Sequence, residues 1–451
     1  MPATINTHHT QYDEFLPLWK KASDFIAGEE AVKAEKTTYL PKPSGMAKND
    51  NDGSQYAAYL QRARVYDLVN GAQSAMLGLA FEKQPEGNPD EEFSVLKEDD
   101  IDFSVTVLRE LALKGRYIAI VDNYAKTGVD YRVAGYVAES MINWKVDTDG
   151  QLTLAVFEEE VLVDDPEDPY SHETQSQFRV YSLEGNSYTI KLYDEEGEQL
   201  RLSESQLDVT VPRDSLDIVV FGSINLTGDC DPVPLAALVN CSIALYQLSA
   251  DYRHALYMAA QPTPWVKGIT KEQWELLLEQ GIGSSALWWL GDEGEAQFLE
   301  TSGSSINSLR QAMQDEFKIA ENHAVLLTQQ EGGIESAASM AMRAASQHAT
   351  LHTIIRSLEE GINRLHEIIK ERGGGAAKDF AVKADFTPQY ANAQMVAAVS
   401  NAVGLSTVPQ SVLFNLLRQA KATEKTDEEL MDEISTTGGS VLPAPPPANE
   451  G

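Results

Sequence analysis

The segment PVPLAALVNCSIALYQLSADYRHALYMAAQPTPW (232–265) opens the stretch that decides the fold, which continues to residue 372. Its apolar residues recur at helical spacing over about seven turns, and the Pro-Thr-Pro near its end stops that helix. A Trp- and Gly-bearing insertion follows, then a second helix, a break at QQEGG (329–333) and a third long helix. Helices that leave a domain, carry an insertion at the far end and return are typical of a structural wall rather than of a ligand-binding pocket.

Length and composition indicate an ordinary globular chain. The 451 residues are hydrophobic to 43% and charged to 23%, which suits about two to four domains. No window approaches the run of about eighteen apolar residues that a membrane span needs. The first residues, MPATINTHHTQYDEF, lack the basic and apolar regions of a secretory signal. Cys230 and Cys241 suit a reducing cytosol and cannot make a disulfide framework.

The charge of the chain is unusual. It has 35 basic and 69 acidic residues, which gives a formal net charge of −34. Such a surface repels polyanions, which disfavours tight nucleic-acid binding through phosphate neutralisation. Most of these acids are interpreted as a solubilising surface. A sharper hypothesis is that some of them line a passage through which DNA slides without adhering.

Helical periodicity dominates the first part of the chain. Helices are predicted over residues 11–28, 54–81 and 103–114. Gly115 suits the C-terminal cap of the third helix. The run at 39–53 is predicted to be a loop, because it is polar and contains prolines and glycines.

Strand signals then take over. Short apolar or alternating runs predict strands at 116–122, 152–157, 178–182, 188–193 and 216–221. Acidic turns such as DEEGE (194–198) connect them. The sequence therefore predicts an α+β domain with antiparallel, meander-like sheets.

Beyond residue 231 the chain is predicted to be mainly helical. Predicted helices are 232–260, 271–280, 304–328, 335–372, 392–404 and 409–421, with strands near 286–290, 296–300 and 380–386. The helix at 335–372 carries one apolar stripe, and the strand at 380–386 is expected to return the chain to the sheet domain. Residues from about 435 onwards are rich in Gly, Pro and Ser, which is typical of disorder.

The sequence contains no convincing catalytic, cofactor or metal site. His348 and His352 share a helical face as in metalloproteases, but Ala349 occupies the position of the general base, which favours two ordinary helix histidines. The glycine runs at 332–333 and 373–375 do not fit a phosphate-binding loop and are interpreted as a hinge and a cap. Acidic groups such as those at 158–160 lack the spacing of a calcium loop.

Aromatic residues are concentrated in the insertion at 261–303. Its tryptophans are Trp265, Trp274, Trp288 and Trp289. So many exceed what a module of about forty residues can bury alone, because small domains have little interior. Two interpretations remain open: core packing inside the module, or an interface with another subunit or partner, where Trp is enriched.

Several stretches of the chain are similar to a known family. They are YLP (39–41) with YAAYLQRARVY (56–66), GRYIAIVD (115–122), SMINW (140–144) and GIGSSALWW (281–289). Together with the helix–insertion–helix–break–helix layout, they resemble the portal protein, or head-to-tail connector, of tailed bacteriophages in a short form. The resemblance covers most of residues 11–420, and its weight lies in the order of the elements rather than in one motif.

The resemblance implies a portal-like α+β fold with an α/β wing, a helical stem, a small α/β clip and a short helical crown. The implied parts are the wing (1–230), a stem helix (231–260), the clip (261–303), a second stem helix (304–328), the tunnel loop (329–336), a channel-side helix returning to the wing (337–389), the crown (390–434) and a disordered tail (435–451).

The resemblance also implies a function. Portals form a ring, usually of twelve subunits, at one vertex of the capsid, where the ring is the channel for DNA packaging and ejection. Implied partners are other copies of the chain, the terminase large subunit, the head-tail adaptor, the major capsid and scaffold proteins, and double-stranded DNA; no cofactor and no membrane are expected. The loop residues Gln329, Gln330, Glu331, Gly332 and Gly333 would lie closest to the DNA, and the four clip tryptophans would form a partner interface.

Two rival hypotheses stay open. One is a viral structural ring or scaffold protein without a DNA channel, and the other is a cytosolic enzyme whose site the sequence hides. Rings with a central hole in electron micrographs would favour the portal, whereas a small discrete oligomer with a ligand pocket would favour the enzyme.

Overall fold

The computed structural model describes residues 4–89, 91–123, 131–164, 170–202, 207–260, 263–280, 295–299, 304–325, 337–375, 378–384, 399–403, 408–419, 423 and 425–437. The chain divides into two compact units, Met1–Lys383 and Ala384–Gly451. Helices and strands both contribute, so the predicted α+β class is confirmed.

Short helices build the N-terminal part of the larger unit. They are α1 (Thr10–Ala27), α2 (Glu29–Ala34), α3 (Ser44–Asn49), α4 (Ser54–Arg62) and α5 (Leu68–Ala80). The prediction of a loop over 39–53 was wrong where α3 forms, and the single helix predicted over 54–81 is two helices. The break has a visible cause: the backbone N–H and carbonyl of Arg64 both hydrogen-bond the hydroxyl of Ser249, each over 2.9 Å. Those bonds hold the chain outside a helix.

Helix α6 (Asp100–Lys114) forms as expected and has well-made ends. The Asp99 carboxylate caps it by accepting a hydrogen bond from the backbone N–H of Asp102. Gly115 ends it with φ 72°, and a Cβ at this position would lie 2.6 Å from the carbonyl oxygen of Pro232. Glycine is therefore required here both for backbone angle and for space.

Two antiparallel sheets follow α6. Strands β1 (Arg116–Asn123), β2 (Tyr131–Val137) and β9 (Ile218–Gly222) form the smaller sheet in the order β2-β1-β9. The larger sheet contains β3 (Met141–Val146), β4 (Leu152–Asp164), β5 (His172–Glu184), β6 (Ser187–Tyr193), β7 (Gln199–Leu200) and β8 (Asp208–Pro212). It runs β3-β4-β5-β6-β7, with β8 on β6. The predicted meander is confirmed.

Apolar faces of α1 and the two sheets share one core. Buried members include Trp19, Ile118, Met141, Phe157 and Tyr181. The indole N–H of Trp19 donates to the carbonyl of Lys114 over 3.0 Å, so the largest side chain of α1 is satisfied at the end of α6. This core fixes the N-terminal helices onto the sheets.

Long helices continue the chain after β9. They are α7 (Ala236–Ala259), α9 (Ser304–Val325) and α10 (Ala337–Glu371), and a small module of β10 (Thr263–Lys267), α8 (Lys271–Gln280) and β11 (Glu295–Leu299) lies between α7 and α9. The predicted helices are confirmed within the described residues, whereas the strand predicted at 286–290 lies outside them. None of the described helices has a stretch long and apolar enough to cross a membrane.

The return of the chain after α10 differs from its prediction. A strand was expected at 380–386, but in the described residues up to 384 only Ala381 makes a β-type pair, with Glu86. Other bonds hold this segment: Asn363 of α10 exchanges two hydrogen bonds with the backbone of Phe380, and Glu359 accepts from the N–H of Val382. The alternation of apolar residues here reflects packing on α10 rather than a sheet.

The smaller unit contains a helical stretch at 399–403, α11 (Gln410–Gln419) and α12 (Asp427–Thr437). The sequence predicted the first two but not α12. Thr426 caps α12, since its hydroxyl receives the N–H of Glu429 while the Glu429 carboxylate receives the N–H of Thr426. This reciprocal pair is a capping box, and the Thr-x-x-Glu pattern was its sequence signal.

Asp217 joins α10 to both sheets. Its buried carboxylate accepts two hydrogen bonds from Arg372, of 3.0 and 2.7 Å, and also pairs with Arg213. Arg213 follows β8 and lies over the ring of Tyr188 in β6, while Asp217 directly precedes β9. Asp217, Arg213 and Arg372, called the Asp217 cluster, tie the end of α10 to the edges of both sheets.

We expect Asp217→Ala to lower the free energy of unfolding by about 3–5 kcal/mol, because it leaves two mostly buried guanidinium groups without their carboxylate. Urea unfolding at neutral pH measures this loss. Asp208→Ala, at an exposed position of β8, is the matched control and should change stability by less than about 0.5 kcal/mol. Equal effects of the two substitutions would contradict the assigned role of the cluster.

Candidate functional site: the helix pair and its distal module

The middle of α7 is hydrogen-bonded to the N-terminal part of the chain. The hydroxyl of Tyr59 donates to Asp251 over 2.6 Å, and the side-chain amide of Gln247 donates to the carbonyl of Tyr39 over 2.8 Å. Ser249 binds the backbone of Arg64 on the same side. Because these bonds reach backbone groups and a charged acceptor, the middle of α7 is held firmly against the N-terminal helices.

Helix α9 packs antiparallel on α7, and the two are called the helix pair. Glu316 of α9 hydrogen-bonds Cys241 near the start of α7, and Phe317 meets the ring of Tyr66 edge to face at 4.9 Å. Burial, with Glu316 beside it, raises the pKa of Cys241 to about 11. On α9, Met313 and Ala320 are buried seven residues apart, so contact with α7 uses one narrow stripe.

The helix pair keeps large apolar side chains in solvent at two places, the far end of α7 and the near end of α9. On α7 the exposed side chains are Leu256, Tyr257 and Met258, and on α9 Ile319 is exposed. The guanidinium of Arg62 lies over the Tyr257 ring at 3.7 Å, which covers one side of it. The three neighbouring side chains at the end of α7 form a group of the kind that is typical of surfaces that contact another protein, and Ile319 is a separate exposed position.

The distal module, residues 261–303, starts where α7 ends. Strands β10 and β11 pair antiparallel, and Lys267 on β10 forms an exposed ion pair with Glu295 on β11 over 2.7 Å. Helix α8 begins with a reciprocal cap between Thr270 and Gln273, in which each backbone N–H bonds the other side chain. The module is thus a small hairpin with one well-capped helix.

The tryptophans predicted to form an interface on the module differ in their exposure to solvent. Trp265 on β10 is half-buried, with the ammonium of Lys267 5.9 Å from its ring, whereas Trp274 on α8 is 43% exposed. Trp288 and Trp289 lie outside the described residues, as do all members of the loop from Gln329 to Gly333. The structure therefore describes one exposed tryptophan on the surface of the module.

Helix α10 is deeply buried along one face from Leu351 onwards. Leu351, Ile354, Leu358, Ile362 and Leu365 of its predicted stripe are at most 1% exposed. Ser357 donates to the carbonyl of Gly222 over 2.7 Å, and a Cβ on Gly361 would collide with the Phe221 ring. Both contacts bring α10 against β9, so the helix that follows the helix pair is fixed on the smaller sheet.

A half-buried histidine, His366, lies on α10. His366 lies 3.5 Å from the carboxylate of Asp100, which also accepts the backbone and side-chain N–H groups of Asn88. A cavity of about 330 Å³ adjoins them, lined also by Arg132 and Gly374. Burial lowers the pKa of His366, although Asp100, Asp379 and Glu91 act in the opposite direction.

The described residues offer no metal centre, since no group of three or more His, Cys, Asp or Glu side chains among them could hold an ion. His352 is exposed on α10, and the side chain of His348 lies outside the described part of the chain. The paired-histidine motif therefore receives no structural support as a metal site. The exposed apolar side chains of the helix pair were not identified from the sequence, because helical periodicity does not distinguish a buried stripe from one awaiting a partner.

Comparisons with known proteins bear on this site. Residues 234–371 match the model of a family described as a domain of unknown function, DUF4055. That segment is less than a third of the chain and spans α7 to α10, the helix pair, the distal module and the buried helix. A solved structure described as the neck of native GTA particle computed with C12 symmetry is similar at 12% identity and a TM-score of 0.41, over 78% of this chain and 89% of that one. No curated protein matches the chain.

We expect stability to fall as the pH decreases from 7.5 to 5.5. Burial lowers the folded-state pKa values of His9, His254 and His366 below 6.5, so the unfolded chain binds more protons than the folded chain in this range. The contribution of these neutral histidines to the free energy of unfolding is complete above their pKa in the unfolded chain and is lost as the pH falls below that pKa. Urea midpoints at both pH values measure the loss, and His366→Gln should reduce it.

Between pH 7.5 and 8.5 the original chain and His366→Gln should change in parallel, because histidines stay neutral there and the thiols of Cys230 and Cys241, whose pKa values burial raises in the folded state, titrate alike in both proteins. A His366→Gln variant with the full pH dependence of the original chain would contradict the part assigned to this histidine.

Proposed function

We propose that the chain is the portal subunit of a phage-like particle and forms a ring around a DNA channel. The observation that carries the proposal is the helix pair: two long antiparallel helices, fixed at one end on the larger unit and joined at the other by a small α/β module. This arrangement matches the stem and clip that the sequence resemblance implies. A structural role in a virion is favoured over catalysis on the same ground.

The exposed apolar side chains of the helix pair give the ring a means of closing. Leu256 and Met258 on α7 and Ile319 on α9 are already in solvent in the single chain. In a ring each copy contacts its neighbours through two different surfaces, so one patch can pack against another face of the next copy. Burying such side chains contributes about 25 cal/mol per Å² of apolar area.

The proposed roles of the remaining parts follow the same order. The distal module would face the packaging motor and later the tail adaptor, with the exposed ring of Trp274 as one contact. Gln329, Gln330, Glu331, Gly332 and Gly333 would approach the DNA, and α10 would run beside the channel. An acidic lumen would let DNA pass without deep electrostatic minima, since few phosphates would be neutralised.

We expect the purified chain, alone or after concentration in moderate salt, to form closed rings with a central hole in electron micrographs. Ile319→Lys should shift the protein towards monomers by mass photometry, because the new charge would have to be buried between copies. The substitution should leave the unfolding midpoint of the monomer unchanged, since Ile319 is exposed within one chain.

Gln314→Lys is the matched control, because it adds the same charge at an exposed polar position of α9. If both variants form rings as readily as the original chain, the surface around Ile319 does not hold the ring together. Rings that lack a hole would instead support a viral structural protein without a DNA channel, and a small compact oligomer would contradict the portal proposal.

A further inference from the structure

A two-stranded arm extends from the larger sheet. Strand β3 pairs with β4 only up to Phe157, and β6 pairs with β5 only from Phe178 onwards. Beyond those points, residues 158–164 of β4 pair only with β5 among the described strands, and residues 172–177 of β5 pair only with β4. These two segments are called the arm. A two-stranded ribbon is marginal by itself in water, so an arm of this length is a candidate for a contact.

The β4 edge of the arm is the more open one. On the β5 side, the carboxylate of Glu195 accepts a hydrogen bond from the backbone N–H of Ser176 and covers part of that edge. On the β4 side, the short helical turn at Ala138–Ser140 lies against β4 just before β3 begins at Met141. Beyond that turn, none of the described strands pairs with this edge of β4.

A cavity of about 730 Å³ lies at this place. It is lined by Tyr12, Tyr136, Glu139, Glu158, Glu160 and Arg179, together with neighbouring residues of β4 and β5. Its residues come from α1, β2, the turn before β3 and both strands of the arm. The cavity is thus a groove along the β4 edge rather than a hole in the core.

The charged side chains of the groove differ in whether they form ion pairs within the described residues. Arg179 is fully engaged by Glu159 through two hydrogen bonds of 2.7 and 3.1 Å, and Glu139 is paired with Lys114 over 2.8 Å. In the described part of the chain no ion pair engages Glu158 or Glu160. Burial together with Glu158, Glu139 and Asp13 raises the pKa of Tyr12 to about 12, as expected beside a negative groove.

Apolar side chains lie on the arm next to these acids. Leu162 is 73% exposed, Val163 is also exposed, and Tyr170 at the far end is 91% exposed. Natural proteins usually protect free strand edges with charges and avoid long apolar side chains beside them. Here Glu158 and Glu160 would repel the same edge of a second copy, while the apolar side chains remain available to a different strand.

We propose that the β4 edge of the arm is a docking site for an extended, basic segment of another protein, which adds a strand beside residues 158–164. The backbone ladder would supply affinity, lysine or arginine side chains would reach Glu158 and Glu160 on one face, and apolar side chains would pack on Val163 on the other face. Charge complementarity selects this occupant over a second copy, whose net charge is also −34. The site is separate from the helix pair, so it does not depend on the proposed ring.

A fluorescent nine-residue peptide of alternating lysine and valine tests the proposal by anisotropy titration with the full-length chain. We expect saturable binding that weakens as salt is raised, and none of an alternating glutamate–valine peptide. Glu158→Gln with Glu160→Gln should weaken binding by about tenfold, the effect of losing two partly exposed charge pairs. Circular dichroism and an unchanged unfolding midpoint would show that this variant is folded.

Two controls make the test specific. Glu279→Gln with Glu321→Gln removes the same charge from exposed positions of α8 and α9 and should leave the affinity unchanged. A lysine–valine peptide methylated on alternate backbone nitrogens keeps its charge but loses ladder hydrogen bonds, so it should bind at least tenfold more weakly. Equal binding of the methylated peptide, or equal effects of the two double variants, would show only general charge attraction and would overturn the proposal.

Discussion

Burial of one stripe of α10 is the interaction on which the larger unit depends. Five side chains of that stripe, from Leu351 to Leu365, are almost completely removed from solvent against α6 and the smaller sheet. At about 1.5–3 kcal/mol for each fully buried aliphatic side chain, this contact offsets much of the entropy lost by ordering the helix. It also places Arg372 beside Asp217, so the larger sheet is fixed by the same helix.

Hydrophobic periodicity predicted the helices and strands that bury one face and expose the other. The stripe of α10 and the cap at Gly115 follow local rules, and both are present as expected. The errors arose where a distant partner decides the backbone. Ser249 takes the backbone of Arg64 out of a helix, and Asn363 occupies the backbone groups of Phe380 that a sheet would have used. No local pattern contains either partner.

The candidate site, like the fold, was predicted from the sequence only in part. Tryptophan enrichment led to the prediction of an interface at the distal module; Trp274 is exposed there, and its role as a contact stays a prediction. The sequence could not reveal that Leu256, Met258 and Ile319 lack a cover, because a stripe looks the same whether its partner is in the chain or in another copy. The Asp217 cluster joins residues from separate parts of the chain, and single charged residues carry no signal of such pairing.

The net charge of −34 constrains how copies could associate. Carboxylates on neighbouring copies repel each other over about 8 Å at physiological salt, so a close contact between copies needs a surface with few charges. The exposed apolar side chains of the helix pair meet that condition, whereas the acidic edge of the arm does not. This physical difference between the two surfaces is the reason for proposing different partners: like copies at the helix pair, and a basic segment of another protein at the arm.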